Sequence, residues 1–499
     1  MISHLITFAI ILKSTKKYFT KKILFFLLAG VPLFFFSCSS GSSNVQDTDG
    51  ADSSKKFVAT YDNSLAKGKV SDSIVCNNQP DLSYALYLPS TYTSSKPFPC
   101  IYFFDAHARG ALPLNNYKLL AEKYGFVMIG YNNSKNGMNW QTNHANIKKM
   151  MDDTRARINI DTRQVYTSGF SGGSRIAGSV AIEDGGVAGV IGCAAGLPQA
   201  ENGIHNKFDY FGIVGDYDFN LTEMEQLDAA LEHNGFTHQL LVSAGIHGWP
   251  TASDFETALL WMQAGAMKDK RQPENEALIN ALKSDYESRI KAAKTAGNLL
   301  AGLQLLDGAI SKLDGVADIT ELKKQFALLA SGPAYTIAAN KQAALQKEEL
   351  SQQQQLVRQF TQMNAEWWAK KIAEINQSIK KAGSSDEANM YHRLLNYLGL
   401  AGYMQSSHAL NTGDISHAED YLKIFQLADP QNPDVNYLSA ICYMKKGDAA
   451  QAISELNNAA SKGYSEVATL VTEPAFGGLR DKAEFKKVVE RVRDNAAGK

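Results

Sequence analysis

Cysteine is scarce in this chain. Five occur in 499 residues, at positions 38, 76, 100, 193 and 442, and no two form a CxxC pair. That spacing excludes a dense disulfide framework and a cysteine-rich zinc site. Cys100 and Cys193 fall in apolar runs, where a thiol packs as a small hydrophobe. An oxidising compartment would permit one disulfide, and no pair is singled out. An excess of charge is missing as well. Fifty Lys and Arg against 51 Asp and Glu leave a net −1, and no basic run lies beyond the N-terminus, so nucleic acid is excluded as an expected partner. Long apolar stretches are also few. The run Ile23–Phe36 is shorter than the ~20 residues that span a bilayer as a helix.

What is present begins at that run. Lys16, Lys17, Lys21 and Lys22 precede it, and Ser37 and Cys38 close it. A basic stretch, a short apolar core and a small residue at its end form an export signal over residues 1–37. The ending resembles the lipobox of bacterial lipoproteins, with Phe35 standing where Leu is usual. The resemblance implies lipidation of Cys38 and anchoring to a membrane outside the cytoplasm; without lipidation the chain would be secreted. The Ser-rich stretch that follows, to residue 60, reads as a flexible tether.

A chain of this length holds two or three domains. Over residues 61–268, apolar runs alternate with amphipathic stretches. The runs are LSYALYL (82–88), CIYFFD (100–105), FVMIGY (126–131), VYTSGF (165–170), VAGVIGC (187–193), YFGIVG (210–215) and QLLVSAG (239–245). Continuous apolar strands separated by helices predict an α/β domain with a doubly wound, mostly parallel sheet. An all-α part follows. Residues 269–385 are rich in Ala, Gln, Lys and Glu at helical spacing. Within 386–499, Gly413, Asp414, Ala418, Leu422 and Phe425 recur 34 residues later as Gly447, Asp448, Ala452, Leu456 and Ala459. This period resembles the tetratricopeptide repeat, which implies paired helices and a protein partner. Two units fall short of about three needed for stability, so residues 269–385 are expected to continue the stack as degenerate pairs, with a cap over 465–492.

The chemistry is concentrated at Gly169-Phe170-Ser171-Gly172-Gly173, directly after an apolar strand and before a helical segment. There the string describes a sharp turn that lifts Ser171 above the sheet edge, with flanking glycines where side chains would clash. The helix N-terminus favours developing negative charge, and the Gly172 N–H becomes an oxyanion donor. A serine nucleophile needs a base oriented by an acid. His247 follows the last apolar run in the loop IHGWP, and the next helix is expected to start at Ser253 with Glu256 completing a capping box. His233 and His238 flank a helix-to-strand turn and read as structural. GDYDFN (215–220) supplies two acids: Asp218 as the partner of His247, and Asp216, whose side chain could instead fix the turn. A second oxyanion donor is expected in Asp105-Ala106-His107-Ala108-Arg109-Gly110, from the N–H of Ala106 or His107. No HxH, HExxH or carboxylate cluster accompanies His107, so it is read as orienting its loop rather than holding a metal. Arg109 is read as pairing within its loop.

With these elements in order, residues 65–265 resemble the α/β-hydrolase superfamily, and within it secreted carbohydrate esterases and polyhydroxyalkanoate-depolymerase-like enzymes. The resemblance implies a Ser-Asp-His triad of Ser171, Asp218 and His247 that needs neither a metal nor an organic cofactor. It favours Asp218 over Asp216 because such hydrolases set the acid in a Gly-x-x-Asp turn. DAHARG departs from the HGGG-type loop of many esterases. The implied substrate is an ester, including polysaccharide-linked acyl or feruloyl esters. Loops 131–140 and 196–207 would wall the cleft, where Trp140 and Trp249 either stack on a ring of the substrate or serve packing. Two other readings are a serine peptidase of the prolyl-oligopeptidase type and a non-catalytic scaffold whose repeats bind a partner.

Overall fold

Residues 61–200 and 203–496 are described by the computed structural model. They fall within one compact unit, Val58–Lys499. The export signal, Cys38 and the tether lie outside the described residues.

Eight strands form one sheet: β1 (Val70–Cys76), β2 (Gln79–Tyr87), β3 (Phe98–Asp105), β4 (Val127–Tyr131), β5 (Ile160–Phe170), β6 (Gly189–Cys193), β7 (Asp209–Gly215) and β8 (His238–Ser243). Their spatial order is β1-β2-β4-β3-β5-β6-β7-β8. β1 and β2 run antiparallel at one edge, and β3 to β8 are parallel. All seven apolar runs lie on strands. β1 has no counterpart among them, because its sequence VSDSIVC is half exposed and lacks a continuous apolar face. Five helices cover the sheet: α1 (Ala111–Tyr124), α2 (Trp140–Arg157), α3 (Gly172–Asp184), α4 (Leu221–His233) and α5 (Ala252–Lys268).

Strand alternation divides the core into two layers. On β3, Ile101 and Phe103 face a layer with Tyr117, Phe211, Phe255 and Trp261. Tyr102 and Phe104 face the other, with Tyr84, Met150 and Val180. Register then sets the site. Asp105 of β3 pairs with Phe170 of β5, and Gly215 of β7 pairs with Ser243 of β8. The loops carrying DAHARG, Ser171, Asp218 and His247 therefore leave the same edge of the sheet. The start of α5 differs from expectation. Its cap is Thr251, which accepts from Asp254 N at 3.2 Å and donates to Asp254 Oδ2 at 2.8 Å. Glu256 instead meets Lys123 and Tyr124 of α1.

Among the described residues eleven α-helices follow, α6 (Glu276–Thr295), α7 (Leu299–Leu313), α8 (Thr320–Ser331), α9 (Pro333–Phe360), α10 (Ala365–Ala382), α11 (Asp386–Thr412), α12 (Ile415–Ala428), α13 (Pro433–Lys445), α14 (Ala449–Ser461), α15 (Val467–Thr472) and α16 (Ala483–Ala496), with a 3-10 turn at Pro474–Leu479. Leu282, Tyr286, Leu306 and Leu313 of α6 and α7 complete the core layer of Trp261, so these helices pack directly on the α/β half. The 34-residue pattern has a local cause. Gly413 and Gly447 take φ 81° and 82°, and the aspartate after each caps the next helix by accepting from His417 N and Gln451 N. Ala418 and Ala452, one turn further, are fully buried. Gly297 (φ 68°) and Asn298 make the same turn between α6 and α7. Cys76, Cys100, Cys193 and Cys442 are buried free thiols. Among the described residues no helix is long and apolar enough to cross a membrane.

Candidate active site

Ser171 sits between the end of β5 and the start of α3 with φ 55° and ψ −121°. Only glycine adopts a positive φ freely, so this serine carries backbone strain of the kind found at functional turns. Its amide donates to Cys193 O at 2.9 Å, and its carbonyl accepts from Ser174 N at 3.0 Å. The surrounding glycines answer to close approach. A Cβ on Gly169 would strike the Gly173 carbonyl, and one on Gly173 would strike the Phe104 carbonyl of β3. Gly172 has a different neighbour: a Cβ there would collide with Asn136 Oδ1 in the loop after β4.

His247 reaches Ser171 from the loop after β8. Its Nε2 lies 3.0 Å from Ser171 Oγ, and its Nδ1 lies 3.0 Å from both carboxylate oxygens of Asp218. Asp218 is fully buried and also accepts from Asn220 N at 2.9 Å. The imidazole packs against Phe170 and Phe219, with ring centroids 4.8 and 4.3 Å away and planes 47° and 30° from parallel. Two aromatic neighbours and a carboxylate restrict the ring's rotation. Carboxylate, imidazole and hydroxyl thus form one continuous line. In such a line the imidazole can take the hydroxyl proton while the carboxylate stabilises the resulting positive charge.

Asp216 does something else. Its Oδ1 accepts from Gly245 N at 2.9 Å, its N donates to Ser243 O, and Tyr217 N donates to Gly245 O. It staples the loop of Asp218 to the loop of His247.

The loop after β3 is organised by Asp105, which is fully buried. Its carboxylate accepts from His107 N at 2.8 Å, from Arg109 Nε and Nη2, and from Trp249 Nε1 at 2.9 Å. Burial opposes the charge on Asp105, but the Arg109 hydrogen bond and charge, with the bonds from Trp249 and the His107 amide, hold its carboxyl below the ordinary value. Of the two amides expected as a second oxyanion donor, that of His107 is engaged by Asp105. Burial and the Arg109 charge lower the pKa of the His107 imidazole. Ala108 takes φ 61° to close the turn.

Both tryptophans have packing partners and are partly exposed. Trp249 packs against Phe103, Tyr117 and Phe170, and its indole N–H is held by Asp105. It ties the loop of His247 to the loop after β3. Trp140 stacks on His144 at 4.8 Å and donates to Glu183 Oε1 at 2.9 Å. Glu183 lies near the far end of α3, roughly 18 Å along the helix from Ser171. His238 bridges Phe236 O and Asp228, a structural role. Among the described residues no group of three or more His, Cys, Asp or Glu is placed to hold a metal ion.

Asn136 was not visible from sequence. Its N–H donates to Ala106 O at 2.9 Å, and its side chain lies against Gly172. The only hint is that glycine rather than a larger residue follows Ser171. Phe219, the other aromatic neighbour of the imidazole, was likewise hidden between Asp218 and Asn220.

The chain is similar to several solved structures at low identity. The fluorophosphonate-binding serine hydrolase F of Staphylococcus aureus shares 13% identity, with a TM-score of 0.33 over 40% of this chain and 99% of that one. The feruloyl esterase module from Clostridium thermocellum, complexed with sinapinate, shares 13% identity, with a TM-score of 0.31 over 36% of this chain and 82% of that one. An S-formylglutathione hydrolase from Agrobacterium tumefaciens shares 13% identity, with a TM-score of 0.32 over 39% of this chain and 93% of that one. No family model matches the sequence, and no curated protein does.

Proposed function

We propose that this protein is a serine esterase that cleaves carboxylic esters through an acyl-enzyme. The observation that carries this reading is the unbroken line Asp218–His247–Ser171, with each link at 3.0 Å. His247 Nε2 takes the Ser171 proton as Oγ attacks the ester carbonyl carbon. The carbonyl oxygen becomes an oxyanion facing the Gly172 amide, which as the first residue of α3 has no intrahelical acceptor, and the Ala106 amide. Protonated His247 then gives its proton to the departing alkoxide, leaving Ser171 acylated. Water repeats the sequence with the same base, releasing the acid and restoring the serine. Every step uses groups of this chain and water.

The substrate class we favour is the acyl or feruloyl ester of a polysaccharide. That choice agrees with an exported, Cys38-anchored chain meeting polymer outside the cytoplasm. Purified chain should hydrolyse p-nitrophenyl acetate and a feruloyl ester, with Ser171→Ala losing on the order of 10⁴-fold or more in kcat. Turnover unchanged in that variant would refute the mechanism. Cleavage of peptides with inertness towards esters would favour a peptidase instead. Metabolic labelling with a fatty acid, lost on Cys38→Ser, tests the anchor.

A further inference from the structure

The outer side of the Asp218 loop is held by the helical half. Arg393 Nη1 of α11 donates to Asp216 O at 2.8 Å, and Asn396 Nδ2, one turn on, donates to Tyr217 O at 2.7 Å. The Tyr217 ring stacks on His392 of the same helix, with centroids 4.6 Å apart and planes 18° from parallel. Three residues of one helix thus grip the two residues immediately before Asp218.

The grip is itself braced. Arg393 is buried and meets the fully buried Glu349 of α9, with Nε at 2.9 and 3.1 Å from the two carboxylate oxygens and Nη2 at 2.6 Å from one of them. This two-pronged pairing fixes the guanidinium plane and leaves Nη1 aimed at the Asp216 carbonyl. Two glutamines of α9, Gln342 and Gln346, donate to Glu225 on α4, the helix that leaves the acid loop. The helical half also reaches the other side of the site, where Glu466 accepts from Arg109 Nη1 at 3.3 Å.

A buried ion pair is weak evidence for stability but a precise orienting device. Here everything it orients is backbone of the loop that carries Asp218. Resting on the esterase reading, we infer that Arg393 and Asn396 are positioning residues for the reaction, and that α9 and α11 form part of the catalytic apparatus. They keep the Asp218 carboxylate on His247 Nδ1, so that the imidazole holds the orientation that takes the Ser171 proton.

The test uses the full chain and keeps the fold in view. Arg393→Met alone would strand Glu349 as an unpaired buried charge, so the principal variant is the double substitution Glu349→Met with Arg393→Met, which removes both charges together. Asn396→Leu, an uncharged change, is the second. Thermal unfolding, kcat and KM for p-nitrophenyl acetate, and the rate of Ser171 labelling by a fluorophosphonate are measured for each. The double variant should lose about 10- to 100-fold in kcat and in labelling rate, with KM within about threefold, as expected when a catalytic group is misplaced by a fraction of its length. Asn396→Leu should lose severalfold in the same two quantities. Arg393→Lys, which keeps the pairing with Glu349, should recover part of the loss. A folded double variant that keeps kcat within twofold, or loses only in KM, overturns the clamp alone. A wild-type chain inert to both ester and phosphonate overturns the esterase reading and the clamp with it.

Discussion

The α/β half and the helical half treat backbone strain in opposite ways. Around the site, three residues other than glycine occupy the left-handed region: Ala108 in the loop after β3, Ser171 itself, and Ala194 after β6. From Glu276 onward, every described residue with positive φ is a glycine, among them Gly297, Gly413 and Gly447 at helix ends. Among the described residues the first half holds Asn78 and Lys270 in the left-handed region as well, beside eight glycines, whereas the second gives each such position to glycine. Strain persists only where surrounding structure over-determines it. At Ser171 that structure is the packing of Gly169 on Gly173 and of Gly173 on β3, together with the bond to Cys193. Three of the first half's five non-glycine residues at positive φ surround the site, while Asn78 lies in the β1–β2 turn and Lys270 after α5.

The largest expected effect separates two neighbouring acids within the strained half. Asp218→Asn should cost about 10⁴-fold in kcat, because the amide cannot stabilise the imidazolium, while thermal unfolding stays near wild type. Asp216→Asn should cost less than about tenfold, since an amide oxygen still accepts from Gly245. Equal losses would break the distinction. A smaller effect is expected at Trp249. Trp249→Phe keeps the packing but withdraws a donor from buried Asp105, at a cost of about 1–3 kcal/mol in stability and a fall in kcat. Chemical denaturation and initial rates on one preparation measure both; a change in neither would remove Asp105 as the link between the two loops. The smallest effects compare the halves directly. Gly447→Ala should destabilise by about 1–2 kcal/mol, because alanine meets the left-handed penalty at φ 82°. Ala108→Gly relieves that penalty and should leave stability unchanged or raised by a few tenths of a kcal/mol, after the added freedom of the unfolded chain. Destabilisation at both positions would erase the contrast.

The same contrast explains what a sequence displays. Six of the seven apolar runs are visible because a parallel strand buried on both faces reads as unbroken hydrophobic residues, and the seventh, on antiparallel β2, is visible because its second half is buried as well. β1 is not, since an exposed antiparallel edge strand such as VSDSIVC mixes polar and apolar residues. Ser171, Asp218 and His247 stand in loops after β5, β7 and β8, a feature of chain order. What they touch is hidden. Trp249 meets Asp105 across 144 positions, and Arg393 meets Asp216 across 177. No local pattern encodes a hydrogen bond to a backbone carbonyl so far away, so the ring of Trp249 and the charge of Arg393 carry no sign of their work. The helical half is legible where its device is local, as in the Gly-Asp turns at 413 and 447. It is silent where it grips its neighbour.

The most direct test of the account is chemical capture of Ser171. Wild-type chain treated with a fluorophosphonate and digested should yield one stoichiometric adduct by mass spectrometry, on the peptide containing Gly169-Phe170-Ser171-Gly172-Gly173. Ser171→Ala should abolish it, and His247→Ala should slow it at least 100-fold, in line with loss of a general base. A folded wild type that forms no adduct, or carries it on a different residue, would contradict the account.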